Sequence, residues 1–191
     1  MSAKNIEQEA LKLFALKGYE ATSLSEIAKE VGIKKPSIYS HFSSKEELFF
    51  TVLNKELDTF TNYIQKVYNE VKYEETEIIL FQLLEKGLKY FSKNKIIMGL
   101  WSNIMFFQTY SLRNKLKKRM KKFNDNMLII LKETFQKGIL EGKIKNMDIE
   151  DLIYSYCTLI EGSYVLSFNS RLFTYERLRL NFNIYWDGIR L

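Results

Sequence analysis

The chain holds one histidine, His41, and one cysteine, Cys157, so neither a multi-histidine metal site nor an intramolecular disulfide can be assembled from it. Its carboxylates lie mainly among lysines at helical spacing, the pattern of solvated surface pairs rather than of paired acids poised for proton transfer. No catalytic constellation emerges, and no cofactor or metal is expected. The residues whose chemistry converges are of another kind. If Ile38 and Phe42 face inward on a short helix, the 3.6-residue period turns Pro36, Ser37, Tyr39 and Ser40 outward, with Lys35 at the rim. A helix presenting such groups fits a DNA major groove, its first residues toward base edges and the preceding helix across the backbone. Just upstream, Thr22, Ser23 and the amides that open the second helix are placed to hold a phosphate, because the first amides of a helix have no intrahelical partner.

The elements that must position these groups are legible as helices. Ile6, Ala10, Leu13 and Phe14 share one stripe, and Gly18 stands where a left-handed residue would stop the first helix. Ser23 with Glu26 forms a capping box for a second helix whose apolar face is Leu24, Ile27, Ala28 and Val31. Gly32, Ile33 and Lys34 leave room only for a tight turn before Lys35 and Pro36 open the third helix, where the missing N–H of the only proline costs little. Ser44 with Glu47 caps a fourth helix that runs to about Val71. Further helices are predicted from Thr76 to about Lys93, Lys95 to Tyr110, Arg113 to Glu141, Asp148 to Phe168 and Thr174 to Ile189. The fold class expected is therefore all-α, with a three-helix head over residues 1–47 joined to a larger helical domain over 48–191.

The stretch from Thr22 to Phe49, TSLSEIAKEVGIKKPSIYSHFSSKEELF, resembles the DNA-binding region of the TetR family of bacterial transcriptional regulators. The likeness rests on the TS-x-x-EIA opening, the Gly32 turn, Ile38-Tyr39 and His41-Phe42 in the third helix, and Lys45-Glu46 with Leu48 opening the fourth. It implies that Lys35, Pro36 and Ser37 lie close to bases, and that Tyr39, His41 and Lys45 contact phosphates. For His41 the alternative is a plain surface histidine. Many relatives place a serine or threonine at the position of Lys34; lysine cannot accept the capping hydrogen bond, so this helix start is either held less firmly or Lys34 serves as a phosphate contact. The resemblance further implies a homodimer that binds a roughly palindromic operator, with repression the expected sign. A ligand would alter the spacing of the two heads through the helix beginning at Ser44.

Charge alone does not locate such a head. The formal net charge is +6, yet residues 1–50 carry seven lysines and seven glutamates. The dense run Arg113, Lys115, Lys117, Lys118, Arg119, Lys121 and Lys122 reads first as a solvated helix start; DNA flanking an operator and an acidic ligand are the other readings. Of the 28 aromatic residues, 22 lie beyond residue 50, so the larger domain is expected to line a cavity for a small apolar or aromatic effector. Trp101, Met105, Phe106 and Tyr110 form one candidate wall, with Phe81, Leu84, Met127 and Tyr164 as neighbours, although rings at helical spacing ordinarily mean core. The resemblance places the dimer surface on the last two helices. Gly162 would allow close helix approach there, with Tyr164, Tyr185 and Trp186 as anchors; a packing glycine within the monomer is the alternative. Cys157 reads as a small buried side chain rather than a redox sensor. No apolar run approaches the roughly 20 residues of a membrane span, the first residues lack a secretion-signal pattern, and a cytoplasmic location is expected. A helical protein that binds a hydrophobic ligand or partner without specific DNA binding is the alternative function.

Overall fold

Caps and glycines set the helix boundaries that the periodicity predicts. In this computed structural model, the described residues are 2–106 and 110–191, with the side chains of Phe106, Tyr110 and Asn169 outside the description. The helices are α1 (Ala3–Ala21), α2 (Leu24–Val31), α3 (Lys35–Tyr39), α4 (Lys45–Val71), α5 (Thr76–Ser92), α6 (Lys95–Phe106), α7 (Arg113–Leu140), α8 (Ile149–Asn169) and α9 (Tyr175–Ile189), with a short 3-10 turn over Tyr110–Leu112. No strand is formed among the described residues beyond an isolated bridge between Ile144 and Arg190. The chain is all-α.

It divides into two compact units. The first comprises Met1–Thr59 and Lys93–Lys121, the second Phe60–Ser92 and Lys122–Leu191, so α4 and α7 each belong to both. In the first unit, α1 packs on α2 and α6 through the fully buried Ile6, Ala10 and Phe14. Gly18 does interrupt α1, but in a different conformation from the expected one. Its φ of 77° and ψ of 171° lie outside the left-handed helical basin, in a region that is essentially glycine-only. The carbonyls just before this interruption accept from Asn103 Nδ2, at 3.1 Å for Phe14 and 2.8 Å for Ala15.

Close approach of α6 to α1 depends on Gly99. A Cβ there would stand 2.8 Å from the Ala15 carbonyl oxygen, a backbone atom that cannot move aside. We expect Gly99→Ala to cost about 1–3 kcal/mol, the usual penalty of overpacking. Urea unfolding would show a lower midpoint with the slope unchanged; an unaltered midpoint would mean that α6 can retreat without loss.

The second unit is built around α5, on which α8 and α9 pack. Leu80, Phe135, Tyr156 and Phe182 are fully buried at its centre, and the Tyr156 hydroxyl donates to the Leu80 carbonyl at 2.6 Å. Burial pushes the Tyr156 phenol well above its ordinary pKa, so the group stays a neutral donor. Burial likewise raises the Cys157 thiol, which disfavours the reactive thiolate. Among the described residues no helix is long and apolar enough to cross a membrane.

Candidate nucleic-acid interface

A helix-turn-helix needs a short joint, and here it is the left-handed Gly32 (φ 76°, ψ 32°). Its amide and that of Ile33 close the end of α2 by donating to Lys29 and Ala28 at 3.1 and 2.9 Å. The start of α2 is closed by the predicted capping box: Glu26 N donates to Ser23 Oγ at 3.2 Å, and Ser23 N to Glu26 Oε2 at 2.9 Å. A bond from Lys17, 2.9 Å away, and the bonds from Ser23 hold the Glu26 carboxyl down to about 2 from an ordinary 4.5. A carboxyl depressed in the folded state contributes stability above its unfolded pKa and loses it as protonation proceeds in the fold. We therefore expect the support given to α2 to be complete above pH 4.5 and to fade between pH 4.5 and about 2. Helicity followed by circular dichroism should lose a component in that window, absent from Glu26→Gln; identical acid profiles would contradict the linkage.

Beyond the turn, α3 is only five residues long, with Lys34 at its N-cap making no side-chain capping bond and Pro36 in its first turn. Its inward face is Ile38, which is fully buried, followed by Phe42. Lys34, Lys35, Pro36, Ser37, Tyr39, Ser40 and His41 are all exposed. The Ser40 hydroxyl is spent on the Ser37 carbonyl at 2.8 Å, whereas no hydrogen bond is formed by the Ser37 hydroxyl or the Tyr39 phenol among the described residues. One face of α3 thus offers two uncommitted hydroxyls beside Lys34 and Lys35.

Two expected phosphate contacts are instead structural. Thr22 is buried, and its hydroxyl donates to the Gly18 carbonyl at 2.8 Å; its amide donates to Tyr19. Thr22 therefore steadies the end of α1 and leaves Ser23 as the outward group, with the first amides of α2 unpaired within their helix. Lys45 Nζ lies 2.8 Å from the carbonyl oxygens of both Tyr19 and Thr22 and 4.1 Å from the centre of the Tyr19 ring. With an ammonium's donors so engaged, Lys45 ties the start of α4 to the end of α1, where a cation also complements the helix dipole. Sequence spacing gave no sign of this strut, since its partners lie more than twenty residues away. At the α4 cap, Glu47 N donates to Ser44 Oγ at 3.1 Å. The Glu47 carboxylate reaches back to the amide and hydroxyl of Ser43 rather than to Ser44, which lowers its pKa.

A sequence profile described as bacterial regulatory proteins, tetR family, matches residues 6–52. The IcaR protein of Staphylococcus aureus strain Newman, a negative transcriptional regulator of the icaADBC biofilm operon, is 31% identical over 142 residues, covering 71% of this chain and 76% of its own length. The chain belongs to the TetR family. It is accordingly a DNA-binding transcriptional regulator and not an enzyme. The fold of this TetR-family protein is similar over nearly its whole length to two solved structures. FadR from Bacillus subtilis in complex with stearoyl-CoA has a TM-score of 0.77 at 18% identity, covering 98% of this chain and 100% of FadR. A proposed transcriptional regulator from Saccharomonospora viridis in complex with choline also scores 0.77 at 18% identity, covering 99% and 97%.

The aromatic residues expected to line one effector cavity in this TetR-family protein fall into different units. Trp101 and Met105 belong to the first, and Phe81, Leu84, Met127 and Tyr164 to the second; the side chains of Phe106 and Tyr110 lie outside those described. Phe81 and Leu84 are core residues, Phe81 packing on Phe182 at 5.2 Å between ring centres. Tyr164 stacks edge-on to Phe91 and Phe168 at 5.0 and 4.6 Å, and its buried hydroxyl has no hydrogen-bond partner among the described residues. Tyr164 thus faces its own unit, as does Trp186, 7% exposed, and Tyr185, whose hydroxyl donates to the Leu152 carbonyl at 3.4 Å. Of these three expected dimer anchors, Trp186 is buried and Tyr164 and Tyr185 are half-buried. The outward face of α8 carries instead Tyr154, Thr158, Gly162 and Val165, and that of α9 Leu180, Ile184 and Gly188. A Cβ added at Gly162 or Gly188 would meet nothing within 4 Å.

Proposed function

We propose that the protein is a homodimeric repressor that binds a roughly palindromic operator, with α3 in the major groove and a small apolar or aromatic effector releasing the complex. The observation that carries this reading is the exposed face of α3, in which Lys35, Pro36 and Ser37 precede Tyr39 while Ile38 is fully buried. Lys35 and Ser37 supply donors for base edges, and Tyr39, His41, Lys34 and Ser23 supply donors for phosphates. The IcaR likeness supports the negative sign of regulation. Functionally, residues 1–47 read DNA and 48–191 serve dimerisation and effector binding.

The dimer surface we assign to the outward faces of α8 and α9. Tyr154, Leu180 and Ile184 are 77%, 59% and 65% exposed, and a two-fold axis would bring the same apolar groups of a second copy against them. The effector we place in the second unit near Tyr164, where an unpaired buried hydroxyl among rings gives an apolar ligand one polar anchor. The neighbouring fold solved with stearoyl-CoA makes a ligand with a substantial apolar part the natural first class to screen, and the one solved with choline adds small organic cations as a second. Because α4 carries the head directly and belongs to both units, as α7 does, it is one covalent route by which a ligand could bias DNA binding, provided that the ligand prefers one of two arrangements.

Selection of bound fragments from the source genome tests the reading. Recovered sites should share a motif with two-fold symmetry, their half-sites about one helical turn apart. Recovery of fragments without a common motif would contradict it.

A further inference from the structure

Arg113, Lys117 and Lys121 recur at successive turns of α7, and Lys118 flanks them; all four are exposed. The opposite side of the same turns is the packed one. Leu112 and Leu116 are 1% and 5% exposed, and Leu116 lines a small crevice with Phe14, Tyr19 and Phe49. Three polar or cationic contacts fasten this end of α7 to the head. Ser111 Oγ donates to Glu20 at 2.8 Å, Lys115 pairs with Glu46, and the Arg119 guanidinium sits 5.9 Å from the Phe50 ring centre. Glu20 closely precedes Thr22 and Ser23, and Glu46 adjoins Lys45. The basic row therefore starts at the rim of the recognition head and within the same compact unit.

No ion pair is formed by Arg113, Lys117, Lys118 or Lys121 among the described residues, and residues 93–121 contain no aspartate or glutamate. Unneutralised like charges at helical spacing destabilise the helix that carries them, so an external anion is the partner that would compensate them. Residues 1–50 are electrically balanced, which leaves this row as the chief source of attraction that the unit can offer a polyanion. The row is a convex helix side about 12 Å long, unlike the concave enclosure that a small ligand requires. Duplex DNA presents a charge every ~1.7 Å along its axis.

We propose that the exposed basic row at the start of α7, Arg113, Lys117, Lys118 and Lys121, binds the phosphate backbone of DNA flanking the recognition half-site. This accessory contact extends the footprint of the repressor reading, on which it rests, without reading bases.

The test compares wild type with Arg113→Gln/Lys117→Gln/Lys121→Gln and with the charge-preserving Arg113→Lys/Lys117→Arg/Lys121→Arg. Affinity is titrated against salt on three duplexes: a genomically selected site trimmed to its half-sites, the same site extended by a helical turn at each end, and a long random sequence. The glutamine variant should lose salt dependence on the two long duplexes, by about 0.9 in the log–log slope for each phosphate contact removed. Its slope on the trimmed site should match wild type, and the charge-preserving variant should behave as wild type throughout. A folded glutamine variant with wild-type slopes on both long duplexes overturns the proposal, as does an equal loss on the trimmed site. Wild type that shows no preference for the selected site, while the slope on random DNA still falls in the variant, overturns the repressor reading and with it a contact defined by a half-site, although the row still binds DNA.

Discussion

Ile184→Asp should convert the protein from dimer to monomer at concentrations where wild type is fully dimeric. The side chain is 65% exposed in the isolated chain, so the carboxylate stays hydrated there and monomer stability should change by no more than about 0.5 kcal/mol. If the outward face of α9 forms the two-fold interface, the substitution places one carboxylate from each copy in it. Uncompensated charges of that kind cost about 3–5 kcal/mol, a weakening on the order of a hundredfold to several thousandfold. Gly162→Leu is a milder form of the same experiment. Nothing in the monomer lies within 4 Å of a Cβ at Gly162, so the larger side chain is tolerated by the fold and should cost about 1–3 kcal/mol only in the dimer. Sedimentation velocity over a dilution series checks both. If Ile184→Asp remains a dimer with the wild-type melting temperature, the outward face of α9 is not the interface.

Tyr39→Ala should weaken DNA binding by roughly ten- to a hundredfold on every sequence tried, whereas Ser37→Ala should weaken it mainly on the preferred site. The phenol is 51% exposed beside the buried Ile38, so its removal leaves the packing of α3 intact. A hydrogen bond to a charged phosphate is worth about 1.5–3 kcal/mol, and it carries no sequence information. A base contact from Ser37 discriminates instead, by about 1–3 kcal/mol at one position of the half-site. Titrations of both variants against a panel of single-base operator changes separate the two roles. Wild-type affinity for Tyr39→Ala at moderate salt would remove the principal phosphate contact, and an unaltered base preference in Ser37→Ala would return that hydroxyl to solvent.

The helices and the DNA-facing side of α3 were legible because local chemistry dictates them. Ser23 with Glu26, the left-handed Gly32 and the early Pro36 each act within one turn of the chain, and the spacing of Ile38 and Phe42 leaves only one way to orient α3. Where tertiary contacts decide, the sequence was silent or misleading. Lys45 looks like a free cation until α1 is brought beside α4 and its carbonyls take the amine. Helices α8 and α9 have apolar residues on more than one side, so periodicity could not distinguish the face that packs on α5 from the face that remains exposed. Trp186 is buried and Tyr164 and Tyr185 are half-buried, while Tyr154, Leu180 and Ile184 stay outside. Aromatic character alone likewise could not divide the candidate effector residues between units: Trp101 belongs to the first and Tyr164 to the second.

The proposed function stands or falls on whether α3 reads a specific operator. Equilibrium titration of wild type against its genomically selected site and a shuffled duplex of equal length and composition, at one physiological salt concentration, tests it most directly. Affinity for the selected site should be about 10³–10⁷ times the non-specific affinity and should fall toward the non-specific value when both Lys35 and Ser37 are replaced by alanine. Equal affinities for the two duplexes would contradict it.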